Sequence, residues 1–147
     1  MHVRELIGRK GPGAVTISVG TGLGEAARLL MEHNIGGLPV LAASGSVVGF
    51  LAERDVVRAV DQDASNPREV PVERVMRRPA PTCSGEDTLH DVMARMTRDR
   101  LRHLIVMDQG RIAGVVSVGD LVKVRLEQLE TEAGVLRDYV AAHRAVL

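Results

Sequence analysis

The chain has 147 residues, with 19 basic side chains balanced by 19 acidic ones for a formal net charge of zero, a length that suits one compact domain or two small ones sharing a core. Its 45% hydrophobic and 26% charged content supplies a core and argues against overall disorder. One tyrosine, one phenylalanine and no tryptophan make that core aliphatic and, with the balanced charge, speak against bulk nucleic-acid binding, which needs concentrated Lys and Arg or aromatic platforms for bases.

The first eleven residues carry Arg4, Glu5, Arg9 and Lys10 and hold no apolar stretch of signal-peptide length. Nowhere does an apolar run reach the roughly 18 residues of a spanning helix. Cys83 is the only cysteine, so neither an internal disulfide nor a Cys-x-x-Cys knuckle can form, which fits a reducing compartment. These features predict a soluble, cytoplasmic protein that does not enter a membrane.

From Thr16 the sequence is written twice. Thr16 to Val57 and Thr82 to Val122 align with a single one-residue gap, at an offset of 66 before it and 65 after it. Each copy opens on a Thr-x-Ser strand start, Thr16-Ile17-Ser18 and Thr82-Cys83-Ser84. A helix follows, marked by Leu23, Ala26, Ala27 and Leu30 in copy one and by Leu89, Val92, Met93 and Met96 in copy two, apolar at i, i+3, i+4 and i+7. Two short apolar runs around Gly45 (Leu38 to Ala42, Val47 to Leu51) and around Gly110 (His103 to Met107, Ile112 to Val116) read as buried hairpins. An Asp and a helical start close each copy, Asp55-Val56-Val57 and Asp120-Leu121-Val122. The unit is therefore β-α-β-β-α.

Between the copies, the polar stretch from Asp61 to Pro71 with its Asn66-Pro67 step reads as a linker. Val72 to Met76 resembles Val3 to Ile7 ahead of copy one, and Pro79 and Pro81 impose an extended entry into copy two. The division expected is residues 1–62 for the first repeat, 63–71 for the linker, 72–124 for the second repeat and 125–147 for a helical tail. That tail carries a heptad seam, Val122, Leu126, Leu129, Ala133, Leu136 and Val140, interrupted off-seam by Gly134, which costs about 1 kcal/mol in a helix. A helix folded back on its own domain and a dimer helix are both consistent with it. Since neither half buries both faces of its sheet alone, the two are expected to pack about a pseudo-twofold axis.

The segments Gly49-Phe50-Leu51-Ala52-Glu53-Arg54-Asp55 and Gly114-Val115-Val116-Ser117-Val118-Gly119-Asp120 fit a Gly-h-h-Ser/Thr-x-x-Asp signature, with Leu38-Pro39-Val40 and Leu104-Ile105-Val106 upstream. On these residues the chain, over roughly residues 3 to 124, resembles the cystathionine-β-synthase (CBS) domain pair, or Bateman module. The resemblance implies an α+β fold of two tandem repeats with a C-terminal helical extension, and two clefts that bind adenosine-type ligands: AMP, ADP, ATP, S-adenosylmethionine or NAD(H). It implies that Asp120, with Ser117 and Gly119, holds ribose hydroxyls, and that Asp55 does so in copy one with Arg54 as a phosphate partner. A carboxylate accepts from both ribose hydroxyls, and a helix N-terminus beside it offers N–H groups to phosphate. The same Ser-x-x-Asp pattern also reads as a plain helix capping box, and Ala52 departs from the signature by lacking the hydroxyl.

The resemblance further implies phosphate contacts from Arg102 and His103, which stand opposite Gly36 and Gly37 of copy one and could serve the Asp55 cleft. The resemblance also implies that Thr16, Ile17, Thr82 and Cys83 hold the adenine edge by backbone groups between apolar side chains. Cys83 reads as a small strand residue without an activating partner, and His2, His33, His90 and His143 lack metal-ligand spacing. The basic stretches Arg74 to Arg78 and Arg95 to Arg102, interrupted by Asp99, read as solvated faces. With no nucleophile–base pair, metal cluster or P-loop, the expectation is a non-catalytic regulatory module needing no cofactor, acting as a homodimer on a regulated protein. The alternative is a dimerisation scaffold that has lost its ligands, for which Ala52 and Ile105 speak.

Overall fold

The computed structural model describes residues 1–11, 13–62 and 65–146; Asp63 and Ala64 of the expected linker and Leu147 of the tail lie outside the described residues. The order is α1 (Val3–Lys10), β1 (Ile17–Ser18), α2 (Leu23–His33), β2 (Gly37–Leu41), β3 (Val47–Ala52) and α3 (Glu53–Asp61), then β4 (Thr82–Ser84), α4 (Leu89–Asp99), β5 (His103–Asp108), β6 (Arg111–Ser117) and α5 (Val118–Val146). Each repeat forms a three-stranded sheet, β1-β2-β3 and β4-β5-β6. The first pair of each sheet is parallel and the second antiparallel. Two repeats of one α+β design, followed by a helix, are what the duplication predicts.

The likeness extends to irregular details. A register shift falls between Val40 and Leu41 and again between Val106 and Met107. α2 ends on Asn34 and α4 on Arg100, both left-handed at φ 50° and 54°. The one-residue gap has a physical cause at the hairpins. In the second, Gln109 and Gly110 (φ 49° and 76°) close a two-residue loop between Asp108 and Arg111, a backbone that matches strand twist. The first has a longer turn through Gly45, from Leu41 to its partner Val47.

The segments ahead of the repeats cross over. Val3, Leu6 and Ile7 of α1 sit in the core of the second repeat, with Val92, Met96, Leu104, Val106 and Val116. Val72 and Met76 sit in the core of the first, with Leu23, Ala26, Leu30, Leu38 and Leu51. Equivalent backbone bonds pin both: Val3 N–H donates to the Asp87 carbonyl at 2.9 Å, and Val72 N–H to the Thr21 carbonyl at 2.8 Å. Each signature glycine is the seat of one crossing side chain. A Cβ on Gly49 would stand 2.5 Å from Met76 Sδ, and a Cβ on Gly114 would stand 2.8 Å from Ile7 Cδ1. The similarity of Val3–Ile7 to Val72–Met76 is thus the similarity of two straps.

The tail is not folded back on its domain. Leu121 and Val124 of α5 are buried in the second core, while Val122, Leu126 and Leu129 on the other side of the helix are exposed. Beyond Gln128 every described side chain of α5 lies in solvent.

Candidate functional site

The pseudo-twofold sets the start of each closing helix against the αL turn of the other repeat. Two clefts result. One, of about 780 Å³, is lined by Val15, Ile35 and Gly37 from one side and by Lys10, Ser117 and Asp120 from the other. Its counterpart, about 500 Å³, brings Ala52, Arg54 and Asp55 together with Arg100, Arg102 and His103. Gly36 and His103 line both clefts. The imidazole of His103 lies 5.2 Å from the Phe50 ring, and a Cβ on Gly36 would approach its Nε2 to 3.0 Å, so a side chain at Gly36 would displace it.

Asp120 does two things at once. Ser117 N–H donates to Asp120 Oδ2 at 2.9 Å, and Asp120 N–H donates to Ser117 Oγ at 3.1 Å, a complete capping box for α5. Lys10, from the end of α1, donates through Nζ to the same Oδ2 at 2.6 Å and to the Val115 carbonyl at 2.8 Å. Partial burial pushes the Asp120 carboxyl up, but the bonds from Lys10 and Ser117 outweigh it and hold the group below its ordinary value. Among the described residues no hydrogen-bond donor reaches Oδ1.

Asp55 is the counterpart with a different shell. Ala52 N–H donates to its Oδ2 at 2.8 Å and Arg58 Nη1 to its Oδ1 at 3.2 Å. Ala52 has no hydroxyl to return the bond, so the reciprocal half of the box is missing. Five guanidinium groups, Arg54, Arg58, Arg77, Arg100 and Arg102, line this cleft against the carboxylates of Glu53 and Asp55. Among the described residues the larger cleft sets Lys10 and two histidines against Asp120. Fork-shaped guanidiniums clustered around a cavity suit a ligand with several anionic oxygens.

The structure thus brings Asp55, Arg54, Gly36, Arg102 and His103 to one cleft, and Asp120, Ser117, Gly36, Gly37 and His103 to the other. It does not bring the strand openings there. Strand alternation turns Ile17 and Cys83 into the two cores, and the residues on the cleft walls are Val15 and Pro81, just upstream of Thr16 and Thr82. The Thr82 carbonyl accepts a hydrogen bond from Arg95. Burial, helped by Asp87, pushes the Cys83 thiol up to about 11, which makes it inert. Gly119 lies exposed in the first turn of α5, outside both linings. Lys10 was not singled out in the sequence as a site residue, and Arg77 and Arg100, from stretches read as solvated faces, line the smaller cleft instead. Arg100 was legible as the left-handed cap two residues before Arg102, whereas Lys10 reaches Asp120 only because α1 crosses between repeats.

Among the described residues no group of three His, Cys, Asp or Glu side chains is placed to hold a metal ion, and no helix is long and apolar enough to cross a membrane.

Comparison with known proteins matches the CBS domain to residues 3–62 and again to 72–127. The chain is 38% identical to the CBS-domain containing protein ATU1752 from Agrobacterium tumefaciens, whose crystal structure superposes with a TM-score of 0.80 over 84% of this chain and 92% of that one. It is 35% identical to an uncharacterized 17.7 kDa protein of Acidianus ambivalens over 108 residues, which are 71% of this chain and 63% of the relative. The chain therefore spans less than two thirds of that relative's length. The CBS domain pair of protein MJ0100, solved in complex with 5′-methylthioadenosine and S-adenosyl-L-methionine, shares the fold at a TM-score of 0.77 and 22% identity, over 87% of this chain and 98% of that one.

Proposed function

This chain belongs to the CBS domain family, and from that premise we propose that it is a non-catalytic regulatory module that binds an adenosine-type ligand between its repeats and passes the binding free energy to a partner protein. The candidate ligands are AMP, ADP, ATP, S-adenosylmethionine and NAD(H), and the proposed place of action is the cytoplasm. The observation that supports this most is the pairing of a helix-capping carboxylate with an open cavity in both halves, Asp55 in one and Asp120 in the other. A carboxylate so placed takes ribose hydroxyls, and cations from the opposite repeat meet phosphate. That the pair of MJ0100 holds two adenosine derivatives supports the same ligand class here.

A signal follows only if the ligand prefers one of two arrangements of the repeats or of an assembly, since equal affinity for both shifts nothing. Thermal melting with each candidate ligand tests the reading. At about 100 times its dissociation constant a true ligand stabilises by about 2.7 kcal/mol, and Asp55→Asn or Asp120→Asn weakens binding roughly ten- to hundredfold at its own cleft. Melting curves unmoved by every ligand would sink it.

A second reading, a scaffold without ligand, is favoured by the ion pair of Lys10 with Asp120 at 2.6 Å, in which the chain's own ammonium takes the place a ligand needs. Lys10→Met separates the two. As a regulatory module, the variant gains affinity for adenosine, by about fivefold at most because the pair is partly exposed; as a scaffold, it binds no better than the parent.

A further inference from the structure

We infer that α5 pairs with the α5 of a second copy of this chain as a parallel, in-register two-stranded coiled coil, so that both copies carry their clefts at the same end of the coil. The helix has two apolar faces with different fates. With Leu126, Ala133 and Val140 at position a of the heptad and Val122, Leu129 and Leu136 at d, the residues buried against the second repeat, Leu121 and Val124, fall at c and f on the opposite side. The body of the protein thus stands behind the seam, leaving it open to a neighbour. Val122, Leu126, Leu129, Leu136 and Val140 are between 41% and 62% exposed, a continuous stripe that a soluble helix otherwise covers.

The charges flanking the seam decide what covers it. Positions g and e hold Arg125, Glu132 and Tyr139, and Lys123, Glu130 and Arg137. In a parallel in-register pair each g residue meets the e residue five positions on in the second copy. Arg125 then faces Glu130 of the second copy, and Glu132 faces Arg137 of the second copy, each twice by symmetry. In an antiparallel pair with the same apolar layers, Glu132 meets Glu132, Glu130 meets Glu130 and Lys123 meets Arg137. The parallel pair is attractive at both of its facing charge pairs, with Lys123 set against the uncharged Val118 of the second copy, whereas the antiparallel pair is repulsive at all three of these positions. Leucine at two of the three d positions, with small or β-branched residues at two of the a positions, suits two strands rather than more.

The seam is short, about 27 Å from Val122 to Val140 at 1.5 Å per residue. Its helix is nevertheless already nucleated by the body, where Leu121 and Val124 anchor its first turns and Arg9 reaches Glu127 at 3.7 Å. Gly134 falls at position b, off the seam, where a Cβ would meet nothing within 4 Å.

This assignment does not depend on any ligand. Sedimentation equilibrium of the full chain at micromolar concentration is expected to give a dimer, and Leu129→Glu with Leu136→Glu to give a monomer whose melting remains cooperative. Glu132→Arg is expected to weaken the dimer about threefold or more, and adding Arg137→Glu to restore it. A Leu136→Cys variant is expected to crosslink to its own copy on mild oxidation, the native Cys83 being buried. A monomeric parent would overturn the inference. So would a dimer indifferent to the seam substitutions, or crosslinking that occurs only when Leu136→Cys and Leu126→Cys chains are mixed, the mark of an antiparallel pair.

Discussion

Asp55 and Asp120 are equivalent by descent of the repeat, yet each is held by a cation from a different source. Arg58 comes from the same helix as Asp55, whereas Lys10 comes from the far end of the chain to Asp120. Between them His103 lines both clefts, and its titration senses both sides. Burial pushes its imidazole below the ordinary value; Asp120 and Glu53 pull it up, while Lys10 and Arg102 press it down, and the net is downward. The folded state therefore binds the His103 proton less readily than the unfolded chain. Stability from this group is fully present above the unfolded value of 6.5 and falls as pH drops from there toward the lower folded value. Urea midpoints measured at about pH 7.5 and about pH 5.5 are expected to drop more for the parent than for His103→Gln. Equal drops would show that the imidazole is not held neutral between the clefts. The acid limb of Asp120 lies lower and is separate, since its contribution is present above 3.8 and lost as pH falls through its depressed value.

At the scale of elements, the two straps differ in how firmly their glycine seats are closed. A Cβ on Gly114 would press on Ile7 Cδ1, the free end of a flexible side chain, whereas a Cβ on Gly49 would meet Met76 Sδ and also the Arg77 carbonyl at 2.9 Å. That carbonyl accepts from Phe50 N–H at 3.1 Å while Arg77 N–H donates back to Phe50 at 2.8 Å, so the backbone there has no room to retreat. Gly49→Ala is expected to cost about 1–3 kcal/mol as an overpacking change, and Gly114→Ala less. Denaturant midpoints of the two variants measure the difference, and equal losses would mean that the straps are equally tight. The helices and hairpins of both repeats were legible in the sequence because their signals are local: the stripes of Leu23–Leu30 and Leu89–Met96, and the apolar runs flanking Gly45 and Gly110. The crossing of α1 was not, since Val3, Leu6 and Ile7 carry an apolar pattern that names no partner. For the same reason Lys10 stayed hidden. At the strand openings the side chains of Ile17 and Cys83 are turned to the cores, so it is backbone groups there that remain for the adenine edge the resemblance implies.

On the whole molecule, zero net charge conceals a strong local field. Arg54, Arg58, Arg77, Arg100 and Arg102 are scattered over a third of the sequence, and only the packing of one repeat against the other gathers them around a single cavity. The counterpart cavity has Lys10 already engaged by Asp120. Duplication has therefore produced two related clefts of unlike size and charge, and ligands that differ only in phosphate number should sort between them. Coulomb attraction inside a partly enclosed cavity is several times stronger than in bulk water, and at exposed sites salt screens it within about 10 Å at 0.1 M. ATP is accordingly expected to favour the Asp55 cleft, with affinity that falls as salt is raised, while adenosine binds with little salt dependence. Arg102→Ala removes a guanidinium from the phosphate side without touching the carboxylate that meets ribose, so it is expected to weaken ATP roughly tenfold or more and to leave adenosine within about twofold. Calorimetric titrations of both ligands into parent and variant measure this, and an equal loss for ATP and adenosine would show that the arginines shape the cleft rather than select its ligand by charge.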